Sequence, residues 1–396
     1  MPERKLWNRR FVFLLLTQAG FGFAHSAFMM LPKWMATELD AGPDAIGRVV
    51  AVSAMGIVLF LMPAGAMVDR YGRKRFLAAG AALMSVTSLC YVNVESIGVT
   101  LYLLRILQSI AFAYAFAGGA ALCVDAAPPE RIGQAVGLFG LSYVVMGAFA
   151  PAAVEEIVAA SSWDAAFALA AGAAAWCALG GLLVHEEPLA AEASEPVALS
   201  EILVRREMLW AIAIVALLGM AFGCAMNFHQ PYALDLGLTR LRDFFIANSV
   251  AAAACRLLLG PFMDRIGLRR VAVASLTAYS AVMLSLVWLD RIGLAPIGFG
   301  MGLAHGLFYP AYTGVLLAGC PANERGRRMS IIQAGLNGGM GAGGIALGWR
   351  AARAGYPIIF VISAGAVLFG AFLITRTLPA GVTIEANPLS PETEAA

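Results

Sequence analysis

The sequence predicts an all-α membrane protein, with twelve transmembrane helices in two pseudo-symmetric six-helix bundles. Of its 396 residues, 60% are hydrophobic and only 13% are charged, against roughly 45–50% and about 25% in soluble domains. The apolar residues form blocks of about 20, and a helix of ~20 residues crosses the ~30 Å hydrocarbon layer. Strands of a membrane barrel would alternate in polarity over ~10 residues, and these blocks do not. An internal repeat, described below, divides the chain in two.

The apolar blocks give the helices in chain order. They lie at 11–31, 46–68, 76–94, 99–121, 135–157, 163–184, 208–230, 244–263, 271–289, 293–318, 329–349 and 356–376. The first block is too long for a signal peptide and no A-x-A cleavage site follows it, so we expect it to be retained. A stretch rich in Glu, Ala, Pro and Ser predicts a solvated linker between the halves. The expected domains are bundles at 1–184 and 207–378, a cytoplasmic linker at 185–206 and a short cytoplasmic tail at 379–396.

The positions of the basic residues predict the orientation. Of the 27 lysines and arginines, 18 lie on the side of the N-terminus and 7 in the turns on the opposite side. Because cytoplasmic loops carry an excess of Lys and Arg, we expect both termini to be cytoplasmic. An even number of helices also requires the two termini to lie on the same side.

Several protein classes are disfavoured by what the sequence lacks. It contains no G-x-x-x-x-G-K-[ST], H-E-x-x-H or G-x-S-x-G motif, so we expect neither an enzyme nor an ATP-driven pump. The six cysteines are scattered without zinc spacing, and no metal, disulfide or other cofactor is expected. The net charge of +2 gives no indication of nucleic-acid binding.

The strongest motif occurs twice. Residues 65–75 read GAMVDRYGRKR and residues 260–270 read GPFMDRIGLRR. The first copy fits G-x-x-x-D-R-x-G-R-[RK] between predicted helices 2 and 3, and in this it resembles the major facilitator superfamily. The resemblance covers residues 10–377. It implies two six-helix bundles that rock around a central cavity, so we expect a secondary transporter that works by alternating access.

The first copy of the motif predicts a conformational gate. Gly65 is expected to let helix 2 pack closely on a neighbour, and Gly72 to permit a tight turn. Asp69 is expected to face the positive N-terminal end of another helix, which the resemblance identifies as helix 11. Arg70 and Arg73 can pair with acids or with lipid headgroups.

The second copy predicts the same gate in the other half, through Gly260, Asp264 and Arg265. Two acids at the inner ends of helices are candidate partners, Asp125 for the first copy and Glu324 for the second. Such pairs would close the cytoplasmic side in one state and break in the other. The alternative is that the basic residues only follow the rule for cytoplasmic loops.

Arg105 is the clearest charge inside a predicted helix, about six residues into block four. Intramembrane charges are costly and mark function by default. Gln108 and Phe112 share its face at i+3 and i+7. The run from Arg105 to Ser109 is similar to the family's R-x-x-Q-G motif, with Ser109 in place of Gly, and this resemblance implies proton coupling. The alternative is an arginine that snorkels to the interface.

Two histidine stripes are further candidates for proton coupling. His305 lies about twelve residues into block ten, and Tyr309 and Tyr312 continue its face. A histidine there can take up a proton at physiological pH, although a hydrogen-bonded core histidine is the alternative. His25 and Gln18 share a stripe on the first block.

Helices 7 and 11 supply the remaining candidates for the cavity wall. These are Asn227 on helix 7, and Gln333 and Asn337 on helix 11. By the resemblance, helices 1, 4, 7 and 10 line the cavity. His229, beside Asn227, is expected at the outer interface.

Three more charges lie near or inside predicted helices. Glu155 and Glu156 end the fifth block and are expected at the outer interface, although Glu155 becomes a candidate proton carrier if it dips inward. The family's antiporter pattern survives there only as Pro151. Arg256 on the eighth block is expected to snorkel or to pair, with a substrate role as the alternative.

The compact length of 396 residues and the linker of about 20 residues resemble those of bacterial efflux-type members of the superfamily. This resemblance implies proton-coupled export of a small organic molecule across the bilayer of a bacterial inner membrane, and a monomer. The first alternative is a proton symporter or facilitator for uptake of an organic anion or sugar-like solute. The second is a lipid flippase, or a receptor that does not transport. The cavity is expected to be neutral to positive, which favours anionic or zwitterionic substrates.

Overall fold

The computed structural model of the protein describes residues 6–128, 131–186, 199–258, 265–317, 320 and 322–377. In these ranges the regular elements are helices, and there is no strand. The long helices are α1 Arg9–Glu38, α2 Pro43–Tyr71, α3 Arg73–Cys90, α4 Val99–Asp125, α5 Ile132–Ala160, α6 Trp163–Leu183, α7 Arg206–Asp235, α8 Arg242–Leu258, α9 Leu268–Ser285, α10 Leu294–Leu317, α11 Ala322–Ala354 and α12 Tyr356–Thr377. The predicted all-α fold is therefore confirmed.

Each predicted apolar block overlaps one of these helices. Most helices run a few residues past the apolar block, as α1 does, because helical hydrogen bonding continues where the side chains become polar. Nine of the described helices are long and apolar enough to cross a membrane, and the exceptions are α8, α10 and α11. Described α8 ends next to residues outside the described ranges, and α11 begins with several charged residues. For these three helices a membrane span stays a prediction.

The two halves repeat the same packing. In the first half, α1 packs on α5 and α6, α3 packs on α4 and α6, and α2 packs on α4. In the second half, α7 packs on α11 and α12, α9 packs on α10 and α12, and α8 packs on α10. Adding six to each helix number converts the first set of pairs into the second. The halves meet mainly through α2 against α11 and α5 against α8, and these two pairs are related by the same operation.

The glycines of the two motif copies have the same backbone conformation. Gly72 has φ 103° and ψ 132°, and Gly267 has φ 94° and ψ 128°. Residues with a Cβ rarely adopt positive φ, so glycine is what permits this turn between consecutive helices. The repeat seen in the sequence is therefore a repeat of backbone geometry. Gly260 and Asp264 lie outside the described residues.

Candidate functional site

The two ends of the helix bundle need names. The turns that join α1 to α2, α7 to α8 and α11 to α12 lie at one end, and we call this the outer end because the distribution of basic residues predicts that it faces outside. The opposite end, with the turn at Gly72, is the inner end.

Glu155 joins the two halves at the outer end. Its residue is 9% exposed, and Lys33 Nζ on α1 donates to its Oε1 at 2.7 Å. The backbone N–H groups of Leu241 and Arg242, at the start of α8, each donate to one of its carboxylate oxygens at 3.0 Å. The first N–H groups of a helix have no partner within the helix and carry its positive dipole end. The carboxylate of α5 therefore caps a helix of the opposite half.

Gln230 makes a second bridge beside the first. Its Nε2 on α7 donates to the carbonyl of Met29 on α1 at 2.7 Å, and the backbone N–H of Lys33 donates to its Oε1 at 3.3 Å. We call Lys33, Glu155, Gln230 and the first N–H groups of α8 the outer latch. The Lys33–Glu155 pair links α1 to α5 within the first half, whereas the contacts of Glu155 with α8 and of Gln230 with α1 cross between the halves. Through these crossing contacts the outer latch closes the outer end.

At the inner end of the first half, the structure brings Arg73 and Asp125 together as an ion pair, and each side chain is 18% exposed. Glu186, at the start of the linker, accepts the backbone N–H of Arg73 at 2.6 Å and so caps α3. Gly65 differs from expectation, because no heavy atom of the neighbouring described residues lies within 4 Å of where its Cβ would be. The close packing expected at Gly65 is therefore wrong for this arrangement, in which the inner part of α2 has no neighbour at that position.

The structure says less about the gating role of the other two charged residues of this motif copy, Arg70 and Asp69. Arg70 is exposed, with its guanidinium 5.3 Å from the centre of the Tyr71 ring. The backbone of Asp69 lies in α2, and its side chain lies outside the described part of the structure. Its gating role stays a prediction.

Glu324 differs from expectation in its partners. Arg205, just before α7, donates to it from Nη1 at 2.8 Å and from Nη2 at 3.0 Å, and Arg328 Nη2 lies 3.2 Å away. These hydrogen bonds, chiefly those from Arg205, lower the pKa of the Glu324 carboxyl below its ordinary value. Arg265 of the motif copy is exposed. The expected pairing of Glu324 with the second motif copy is wrong for this arrangement, because its carboxylate pairs with Arg205 of the linker.

These inner ion pairs stay within one half. The described ion pair that crosses between the halves joins Arg242 to Glu156, and it lies at the outer end. In the described part of the chain, ion pairs between the halves are therefore confined to the outer end.

Deeper in the first half, His25 and Arg105 belong to one cluster. The rings of His25 on α1 and Phe112 on α4 have centroids 4.4 Å apart, and Arg105 lies within electrostatic range of the histidine. Arg105 Nη1 donates to Gln108 Oε1 at 2.7 Å, and the same oxygen accepts the Tyr91 hydroxyl at 3.0 Å. Arg105 is thus anchored inside its own half. Gln18, about two turns before His25 on α1, is buried and donates to the Tyr143 hydroxyl at 2.5 Å.

The second half contains a matching cluster. The rings of Phe222 on α7 and His305 on α10 have centroids 4.6 Å apart. Tyr309, one turn further along α10, donates its hydroxyl to Gln333 Oε1 on α11 at 3.0 Å. Arg256 on α8 lies within electrostatic range of both His305 and Tyr309.

The ring pairs of the two clusters are related by the repeat, with the two ring types exchanged, whereas their arginines lie on α4 and α8, which the repeat does not relate. In the first half the histidine is on α1 and the phenylalanine on α4, and in the second half the phenylalanine is on α7 and the histidine on α10. Each pair of rings lies near one arginine. Sequence analysis found both histidines and both arginines but missed Phe222, since an apolar residue in an apolar block carries no signal.

The remaining candidates make local contacts. Asn227 donates to the carbonyl of Gly223, and Asn337 to that of Gln333, each one turn back along its own helix. Tyr312 is 1% exposed and stacks on Phe308, at 5.1 Å between ring centroids. A role for these three in substrate binding stays a prediction.

His229 is a core residue. Its ring is fully buried, stacks on Phe244 with centroids 4.0 Å apart, and its Nδ1 lies 2.6 Å from the carbonyl of Ala225. His229 lies near the outer end of α7, but its side chain packs against α8 in the core instead of lying at an interface. Among the described residues, no group of three or more His, Cys, Asp or Glu side chains is placed to hold a metal ion.

The sequence missed the outer latch as an assembly. It named Glu155 as a candidate but did not connect it to Lys33 or to α8. The available signal was that Lys33 and Glu155, which have opposite charges, lie at the outer ends of two apolar blocks.

A helical bundle built from two equivalent halves, with paired polar clusters inside and a latch at one end, defines a membrane transporter of the two-bundle class. Comparison with known proteins gives the family. The family model described as Major Facilitator Superfamily matches residues 12–254 and 231–393, so the chain belongs to that superfamily. It is a multi-pass membrane protein of a family of transporters, not of enzymes.

Among curated proteins, the chain is similar to a gallate transporter of Pseudomonas putida, with 27% identity over 160 residues. That match spans 38% of this chain and 36% of the relative's length. Among solved structures, the nucleoside transporter NupG has a TM-score of 0.78 at 14% identity, covering 93% of this chain and 99% of the other. The human organic anion transporter MFSD10 has a TM-score of 0.68 at 15% identity, covering 92% of this chain and 99% of the other. At these identities the solved structures show the fold alone.

Proposed function

We propose that this protein moves a small organic anion across the cytoplasmic membrane of a bacterium by alternating access, coupled to protons. The observation that carries the proposal is the charge inside the bundle. Arg105 and Arg256 lie inside predicted helices, each beside a histidine. In the whole sequence, no Asp or Glu lies more than two residues inside an end of a predicted apolar block.

This distribution of charge favours an anion because the two arginines need a counter-charge. Removing a charge from water is costly unless an opposite charge or polar group compensates it. A cationic substrate would add to the unbalanced charge, whereas an anionic one would neutralise it. The similarity of part of the chain to a gallate transporter supports the same class.

Alternating access is supported by the outer latch. A closed outer end, with the described ion pair between the halves located there, is one of the two states that a rocking transporter needs. In the other state the contacts of Glu155 with α8 and of Gln230 with α1 would break. Because the carboxylate of Glu155 is engaged by Lys33 and two N–H groups, we assign it to the outer latch rather than to proton transfer.

Protons would then be carried by the histidines. His25 and His305 each stack on a phenylalanine and lie near an arginine. An anion that binds between arginine and histidine favours the protonated ring, since opposite charges stabilise each other. Substrate binding and proton uptake would thus be linked at each cluster.

The direction of transport follows from the charge of the substrate. The membrane potential opposes entry of an anion by about 2.3 kcal/mol per charge per 100 mV. A co-transported proton removes that opposition, so proton-coupled uptake of an anion is the first candidate. Export, which the sequence favoured for its compact length and short linker, is the second. The flippase and receptor alternatives have no contact in the described residues that favours them.

Flux measurements on reconstituted protein test the substrate class. Proteoliposomes would be loaded or bathed with labelled benzoate, gallate, benzamide and benzylamine, with protein-free liposomes as the control for passive diffusion. We expect protein-dependent flux of an anion that exceeds the flux of the neutral and cationic analogues. A preference for the amide or the amine would refute the assignment to anions.

A further inference from the structure

No carboxylate in the described part of the chain forms an ion pair with Arg256. It is on the inner part of α8, its side chain is exposed, and its Nη1 donates to the carbonyl of Gly140 on α5 at 3.1 Å. Among the described residues, none of the ion pairs includes Arg256. Its charge is therefore met by one carbonyl dipole, although a guanidinium has five N–H donors.

Arg105 shows the contrast. It is held by Gln108, which in turn is held by the hydroxyl of Tyr91. These bonds join neighbouring residues of the same half and fix the orientation of Arg105. Arg256 has no such anchor, and its hydrogen bond crosses to the opposite half. Arg256 is therefore freer than Arg105 to bind a ligand.

The groups beside Arg256 extend a donor surface. The buried Nδ1 of His305 has no hydrogen-bond partner among the described residues. Gln333 accepts the hydroxyl of Tyr309 through Oε1, which leaves the N–H groups of its amide as donors. The Phe222 ring, stacked with His305 at 4.6 Å, adds an aromatic face. An arginine, two further donors and stacked rings suit a carboxylate on a flat apolar body.

We propose that Arg256 binds the carboxylate of the substrate, with His305 and Gln333 as further donors and the Phe222–His305 rings against its flat body. The proposal rests on the proposed function, because it names the group that recognises the anion. It also links binding to movement. When the carboxylate binds the guanidinium, the hydrogen bond from Arg256 to Gly140 breaks, and one contact between α5 and α8 is lost.

The test compares acids with their methyl esters. Binding of benzoate, 4-hydroxybenzoate and gallate, each beside its methyl ester, would be measured on the purified full-length protein by scintillation proximity or calorimetry. We expect the wild type to prefer an acid over its ester. Arg256→Gln should lose about ten- to a hundredfold in affinity for the acid, as expected for a charged hydrogen-bonded contact, and should no longer distinguish acid from ester.

Two controls separate recognition from folding. Arg256→Lys keeps the charge but not the fork of donors, so it should retain part of the preference. Arg269→Gln removes a half-buried arginine at the start of α9 whose Nη2 donates to the Thr375 carbonyl, and it should bind as the wild type does. Each variant would be compared with the wild type for its melting temperature in detergent.

The outcomes distinguish this proposal from the proposed function. If the wild type prefers acids and Arg256→Gln keeps that preference, the carboxylate is bound elsewhere, and the role of Arg256 is refuted while anion transport stands. If the wild type shows no preference for any acid over its ester, the anion class itself is refuted. Loss of the preference in Arg256→Gln, with its melting temperature unchanged, supports the proposal.

Discussion

Replacing Glu155 by glutamine should open the outer end. The glutamine keeps one acceptor oxygen for the two N–H groups of α8, which in the wild type donate one to each carboxylate oxygen, and it carries no negative charge for the positive end of that helix. These contacts join α5 to α8 of the opposite half, so they belong to the closed outer end. A hydrogen bond to a charged group contributes about 1.5–3 kcal/mol, and we take about 3 kcal/mol because the Glu155 side chain is only 10% exposed.

This cost falls on the state in which the outer end is closed. Since about 1.4 kcal/mol corresponds to a tenfold change, the ratio of closed to open molecules should fall roughly a hundredfold. A protein that is about 99% closed would become an approximately equal mixture. The change would appear as a second population at longer distance across the outer end.

Electron-paramagnetic-resonance distance measurements provide the assay. Spin labels at Glu38, at the end of α1, and at Arg240, before α8, report on the opening between the halves, and both positions are exposed. The six native cysteines would be replaced first. Glu156→Gln is the matched control, because its carboxylate is 64% exposed and exposed pairs contribute less than about 1 kcal/mol.

A double variant isolates the ion pair. Lys33→Met with Glu155→Gln leaves no unpaired charge, and because the pair lies within the first half, the double variant should open as much as Glu155→Gln alone while regaining part of its melting temperature. An unchanged distance distribution in Glu155→Gln would refute the reasoning, as would equal opening in Glu156→Gln.

Three further predictions concern the inner end. Gly72→Ala should cost about 1–3 kcal/mol, because its φ of 103° strains a residue with a Cβ, and its melting temperature in detergent should drop while that of Gly172→Ala does not; equal values would contradict this. Because Arg205 lowers the pKa of Glu324 from 4.5, their contact stabilises above that pH and weakens as the pH falls through the lowered pKa. Glu324→Gln should therefore reduce thermal stability at neutral pH and converge with the wild type in acid, and a constant difference across pH would count against the pair. Asp69→Asn should slow turnover in proteoliposomes with expression largely intact, whereas unchanged transport would remove its gating role.

The sequence was sufficient for the architecture because the bilayer imposes it. Twenty-residue apolar blocks form helices since only helices and closed barrels satisfy the backbone in lipid. The repeated motif predicted the equivalence of the halves, and the backbone of Gly72 and Gly267 shows it directly. The membrane crossing of α10 and α11 is less evident from composition, because glycine dilutes their apolar character and α11 also carries charges.

Contacts between distant helices were harder to predict. A polar residue in an apolar block is visible in the sequence, as Arg105 and His305 were, but its partner depends on how helices pack. Glu324 was expected to pair with the second motif copy, whereas it forms an ion pair with Arg205 of the linker. Gly65 was expected at a helix contact, yet in this arrangement it faces open space. Such contacts change between states of a transporter, and one sequence encodes both states.

The most direct test of the account is proton movement driven by an organic anion. Proteoliposomes would contain a pH-sensitive dye, and the best-transported anion would be added outside without a preset gradient, beside protein-free liposomes. We predict a protein-dependent acidification of the interior that is weakened in His25→Gln or His305→Gln. Alkalinisation would reverse the direction of coupling and favour exchange of the anion for protons. Protein-dependent anion flux with no pH change would contradict proton coupling and return both histidines to structural roles.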